Sequence, residues 1–149
     1  MKLRASLAAI GATLVLGTTG ALALPAVAAS AHSSTHTLKL ISVTKKSLAL
    51  TKTSGAQQDT DVNAAGKTVG FDMLYFPAVS GTTGTVNLTL DTTGGFLYGK
   101  LTANFKTGAI TNGKVTGGTG AFAGATGTIK ATNLNAAGTR TAVTITYRR

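Results

Sequence analysis

The period of the apolar residues constrains this chain more than any other feature. In "TVNLTLDT", Val86, Leu88 and Leu90 alternate with Asn87, Thr89 and Asp91. In "FLYGKLTANFK", Leu97, Leu101, Ala103 and Phe105 oppose Phe96, Tyr98, Lys100, Thr102 and Asn104. In "TRTAVTITYRR", Val143, Ile145 and Tyr147 oppose Ala142, Thr144 and Thr146. Period-two alternation places one set on each face of a strand. No segment after residue 30 sustains the 3.6-residue apolar period of a helix.

Turn-forming clusters such as "SGTTG", "TGG" and "NAAG" punctuate these runs. Further strand signals lie in "TLKLISV" and "SLALTKT", with a Lys45-Lys46 break between them, and in "AITNGKVT" and "GTIKATNL". "SGAQQDTDVNAAGK" reads as a long polar connection. Seven or eight strands at near-regular spacing predict an all-β fold, an antiparallel barrel or sandwich. An eight-stranded antiparallel β-barrel is the expected form, because closure removes the exposed edges of a Thr-rich chain that has no cysteine to staple it. A barrel of that size fills its interior with side chains or holds one small ligand.

"TVGFDMLYFPAV" is the most apolar run outside the N-terminal segment, and both of its alternating sets are largely apolar: Phe71, Met73 and Tyr75 against Gly70, Asp72, Leu74 and Phe76. Such a strand is covered on both sides. The expected cover is the barrel interior on one side and a partner subunit or a folded-over segment on the other, so a homo-oligomer is anticipated.

Residues 1–29 carry Lys2 and Arg4, then an Ala/Leu/Val-rich stretch, then Pro25 and Ala26-Val27-Ala28. A basic start, a short apolar run and a small-x-small site form the pattern of a cleaved secretory signal peptide. Gly11, Gly17 and Gly20 interrupt the run, which is short for the roughly 20 apolar residues of a membrane span. A secreted, extracellular protein without stable membrane insertion is therefore expected. Residues 30–36 read as a flexible lead-in and residues 37–149 as one domain. The net charge of +10 falls to about +8 when Lys2 and Arg4 leave. The remaining cations alternate with Thr or apolar residues, as on a solvated sheet face, and no nucleic-acid partner is expected.

Chemistry-bearing residues are few. His32 and His36 are four apart in the lead-in with no third ligand nearby, so no metal site is expected. A Ser–His–acid triad is disfavoured for the same reason: the chain's two histidines both lie there. The four acids are Asp59, Asp61, Asp72 and Asp91. Asp72 and Asp91 are the candidate catalytic acids, and Tyr75, Tyr98 and Asn104 are the candidate polar groups of a ligand cavity. An oligonucleotide-binding barrel would need stacked aromatics on a basic face, and Phe96 with Tyr98 alone are so spaced.

The stretch "VTGGTGAFAGATGTI" contains Gly118-x-Gly120-x-x-Ala123, close to a dinucleotide fingerprint. That signature needs a helix after it and an acid about 20 residues on. The next segment is instead the β-branched "TGTIKATN", and no acid lies beyond Asp91. Gly117, Gly118, Gly120, Gly124 and Gly127 suit a sharp β-corner, with Phe122 as its one large side chain. The same residues, with "LNAAGTRTAVTITYR" after them, resemble the C-terminal half of bacterial proteins with an allene oxide cyclase barrel-like domain, related to plant allene oxide cyclases and dirigent proteins. Gly66, Gly70 and Asp72 in "GKTVGFDMLYF" and the segment "GGFLYGKLT" extend the resemblance over roughly residues 37–148.

The resemblance implies an eight-stranded barrel with a central cavity that handles small hydrophobic molecules with no metal or organic cofactor. The acids of the plant cyclases have no full counterpart here, the chain having no Glu. Two functions are then open. The one slightly favoured is a secreted barrel that holds a small hydrophobic molecule without catalysis or serves at the cell surface. The alternative is a cofactor-free cyclase, isomerase or dirigent-like guide, in which orientation in a dry cavity supplies much of the rate.

Overall fold

The computed structural model describes residues 34–77, 81–107 and 109–149. The signal segment expected over residues 1–29 lies outside them. The chain forms a closed, all-antiparallel barrel of eight strands in sequence order. These are β1 (Thr35–Ala49), β2 (Gly55–Val62), β3 (Thr68–Phe76), β4 (Thr83–Thr92), β5 (Gly95–Asn104), β6 (Ala109–Gly118), β7 (Thr126–Asn133) and β8 (Arg140–Arg148). β8 closes the ring by pairing with β1 from Thr35 opposite Arg148 to Val43 opposite Arg140. Strand pairing therefore begins within the segment read as lead-in.

Two elements differ from the sequence expectation. Lys45 and Lys46 do not break β1: its register against β2 shifts between Thr44 and Lys46, a β-bulge that absorbs one extra residue and leaves both lysines exposed. "GAQQDTDV" is also no connection but β2, paired on both sides with β1 and β3. Backbone pairing on two edges holds a strand whatever its side chains are. Here the inward positions are Gln57, Asp59 and Asp61, the inverse of the usual apolar-in pattern.

The remaining strands follow their alternation. Val86, Leu88, Leu90, Leu97, Leu101, Ile129 and Ile145 are almost fully buried and form the core between β4, β5, β7 and β8. Phe105 leaves its alternating set, because the chain turns there and its ring lies half exposed at the barrel end. The interior is thus apolar over more than half its circumference and polar where β1, β2 and β3 run side by side. Outside, Phe71, Met73 and Tyr75 of β3 are all exposed, and no described segment folds over them.

Candidate functional site

Three of the four aspartates meet on the polar wall. Asp59 and Asp61 are two apart on β2 and so share its inner face. Asp72 on β3 is the cross-strand partner of Asp59. Ser42 on β1 pairs with Asp61 on one side and with Thr141 of β8 on the other. All five residues are buried. Among the described residues, the chamber they enter is also lined by Gln57 and by aliphatic side chains, including Leu74, Leu88, Leu90, Leu101 and Ile129, and by no cation.

Hydrogen bonds bind the wall unevenly. The Ser42 hydroxyl lies 2.8 Å from Asp59 Oδ2 and 3.1 Å from Asp72 Oδ2. The Gln57 side-chain amide donates to Asp59 Oδ2 at 2.9 Å and to Thr44 Oγ1 at 3.0 Å. Among the described residues, Asp59 Oδ1, Asp72 Oδ1 and both Asp61 oxygens accept no hydrogen bond from an N–H or from a serine or threonine hydroxyl. Bare carboxylates in such surroundings are costly, and a group in that position keeps its proton instead. Burial above all, then the neighbouring Asp61 and Asp59 charges, push the Asp72 carboxyl up to about 8, against the pull of the Ser42 hydrogen bond. Burial raises Asp61 to about 6, partly offset by its hydrogen bond with Asp72. The two therefore share a proton at neutral pH and titrate as a pair.

A protonated carboxyl beside an ionised one places an acid and a base on one wall. The acceptor oxygens that remain suit a ligand carrying N–H or O–H groups. Among the described residues no three His, Cys, Asp or Glu are grouped so as to hold a metal ion.

Two spaces adjoin the wall. The inner chamber has a volume of about 30 Å³, enough for a water or two. The outer cleft, at the barrel end where β1 turns into β2, has about 510 Å³, within the roughly 300–1,000 Å³ of small-molecule sites. Its apolar surface comes from Leu48, Ala56, Phe76 and Phe105. Phe76 and Phe105 meet edge to face, with centroids 5.8 Å apart. Gln57 lines both spaces, standing between the cleft and the acids.

The opposite end is shut. Phe122 lies in a single 3-10 turn, Gly120–Phe122, is 4% exposed, and meets the Tyr147 ring edge-on at 5.5 Å. Tyr147 in turn stacks on His36 at 5.2 Å. The corner is stitched to the β4–β5 hairpin: the Thr119 amide donates to Phe96 O at 2.8 Å and the Ala121 amide to Gly94 O at 2.7 Å. Gly117, Gly120 and Gly124 have positive φ, and Gly120 also brings its backbone against Gly94. Gly118 and Gly127 allow close passage of the chain. β7 follows this corner where a phosphate-binding loop would require a helix.

Of the residues singled out in the sequence, only Asp72 joins the interior cluster. Asp91 is exposed and pairs with Phe71, whereas Asp72 pairs with Leu90, so the two acids lie on opposite faces of the sheet. Tyr75 and Tyr98 point outward from β3 and β5. Asn104 ends β5, its side-chain carbonyl accepting from the amides of Lys106 and Thr107. The cluster's other members, Asp59, Asp61, Ser42 and Gln57, lay in segments read as connection or plain strand. The usable signal was the i, i+2 spacing of Gln57, Asp59 and Asp61 in a run bounded by Gly55 and Asn63.

No protein-family model and no curated protein sequence matches the chain. Among solved structures it is similar to pyocyanin demethylase, with a TM-score of 0.56 and 19% identity over 75% of this chain and 99% of that one. At that identity the likeness speaks for the barrel fold alone.

Proposed function

We propose that the barrel takes up a small, largely apolar molecule through the outer cleft and sets its polar end against Asp59, Asp61 and Asp72, which exchange a proton with it. The observation that carries this reading is the crowding of three buried carboxyls in a chamber walled by leucine and isoleucine, where burial pushes Asp72 up to about 8. Such a group donates a proton where an ordinary carboxylate could not, and its neighbour can accept one. The reaction class is proton-transfer isomerisation or ring closure, driven by side chains and by the exclusion of water. The barrel fold, which the solved demethylase shares, is compatible with small-molecule binding in general.

The small inner chamber favours a second reading, in which the cleft holds its molecule without turning it over. Native mass spectrometry of the purified protein, followed by solvent extraction, identifies what it carries. Incubation of that compound with the protein and with Asp72→Asn then separates the readings. Conversion lost in the variant with binding kept supports catalysis, equal conversion by both overturns it, and binding with no conversion leaves the cleft as a carrier site.

The finer kinship, to allene oxide cyclase barrel-like proteins, rests on the segment from Gly117 to Gly127 and on Gly66, Gly70 and Asp72. Export is proposed from residues 1–29, and N-terminal sequencing of protein recovered outside the cell tests it: a mature start near residue 30 is expected.

A further inference from the structure

The outside of the barrel is divided into two halves. Strand cations stand on β1 (Lys39, Lys45, Lys46), β6 (Lys114), β7 (Lys130) and β8 (Arg140, Arg148), all exposed. β2, β3 and β4 carry none, and β5 carries Lys100 alone. The cation-poor half holds five large exposed apolar side chains of the sheet's outer face: Phe71, Met73 and Tyr75 on β3, Phe96 and Tyr98 on β5, each 38–56% exposed.

Register makes these five one surface. Phe71, Asp91 and Phe96 lie in one row across β3, β4 and β5, Met73, Thr89 and Tyr98 in the next, and Tyr75, Asn87 and Lys100 in the third. β4 contributes the shorter Asn87, Thr89 and Asp91 between two columns of long side chains, giving a ridge, a groove and a ridge. The ridges are two strand spacings apart, about 10 Å. Five large apolar side chains grouped this closely exceed the scattered single exposures that a monomer surface ordinarily carries.

We propose that this face binds a second copy of the chain in a two-fold dimer. A ridge beside a groove is self-complementary under a two-fold axis: the β3 ridge of each copy enters the β4 groove of the other, and both contacts form at once. Charge selects the same occupant. Two chains of strong positive charge repel, and on this approach each turns away every strand cation but Lys100, which Asp91 on the same face offsets. Asp91, the one exposed acid among the described residues, lies within the patch. An anionic polymer or an anionic lipid surface would be drawn to the opposite half.

Sedimentation velocity over the micromolar range, at low and high salt, tests the dimer. A monomer–dimer equilibrium is expected that tightens as salt screens the repulsion. Met73→Lys and Tyr98→Lys place charge in the contact, and each weakens it roughly thirtyfold or more, as loss of a central interface residue does. Both side chains stand outside the barrel, and an unchanged far-UV circular dichroism spectrum checks that the variants fold. A monomer at all concentrations overturns the proposal, as does a dimer that either variant leaves intact. Retention of a monomeric protein on an insoluble neutral polysaccharide, abolished by the same variants, overturns it in favour of a sugar-stacking surface.

Discussion

Asp59 and Asp72 stand directly opposite each other on β2 and β3, both turned inward, and the single hydroxyl of Ser42 lies within hydrogen-bond distance of both. Like charges in that position destabilise a sheet. A hydroxyl has one proton to donate, so it cannot satisfy two carboxylates at once. The arrangement persists because the third carboxyl, Asp61, shares a proton with Asp72.

The fold should lose stability as pH rises. Asp72 and Asp61 keep their protons in the folded barrel at pH values where the unfolded chain has released them. Their contribution is complete below the ordinary aspartate range near 4 and declines as pH rises towards about 8. Asp72→Asn mimics the protonated acid at every pH. Unfolding free energies from urea titrations between pH 4 and pH 9 should fall for the native chain by an amount on the order of a few kcal/mol. They should fall much less for the variant, which becomes the more stable of the two at high pH. Parallel profiles would show that Asp72 ionises freely.

Ser42→Ala removes a donor from the wall. Its hydrogen bond holds Asp72 down, so the Asp72 titration should move further upward in the variant. Stability should fall by about 1–3 kcal/mol, the cost of an unpaired buried polar group. Carbon-13 NMR of the aspartate carboxyl groups reads the titration, and an unmoved or lowered Asp72 curve would refute the assignment.

Phe122→Ala should open the closed end of the barrel. The ring is buried against Tyr147, and its loss leaves a cavity that costs about 3–5 kcal/mol. Gly127→Ala tests the same corner from the backbone side, because a Cβ there would strike Thr146 O and lie 2.7 Å from Tyr147 Cα. Both variants should melt at least several degrees lower by calorimetry. A Gly127→Ala protein as stable as the native chain would mean that β7 and β8 can separate freely.

Phe105→Ala removes half of the aromatic pair in the outer cleft while leaving the barrel core untouched. A neutral hydrophobic dye such as Nile red should bind the native protein and lose at least about fivefold in affinity to the variant, in line with about 1 kcal/mol of lost contact. Equal binding would place the dye elsewhere, and the exposed β3–β5 face could then be tested with Tyr98→Lys.

The barrel was legible because β4, β5 and β8 write their alternation plainly, with Leu88 or Ile145 inside and Thr89 or Thr144 outside. The site was not, for a reason of parity. Asp72 and Tyr75 both looked like polar groups in an apolar strand, but an odd offset of three sends them to opposite faces. Asp59 and Asp61 were hidden by the reverse effect: acids in a polar run resemble a loop until pairing with β1 and β3 turns them inward. Periodicity locates faces, and only closure of the ring decides which face becomes the interior.

Closure also has a temporal side. β1 and β8 are neighbours in space but first and last among the eight strands, with Thr35 opposite Arg148. No shorter length of chain can form that seam, so the ring closes only once the final strand is free. Contacts of such long sequence separation make for slow folding. A protein built this way becomes a container only after its last strand has been added.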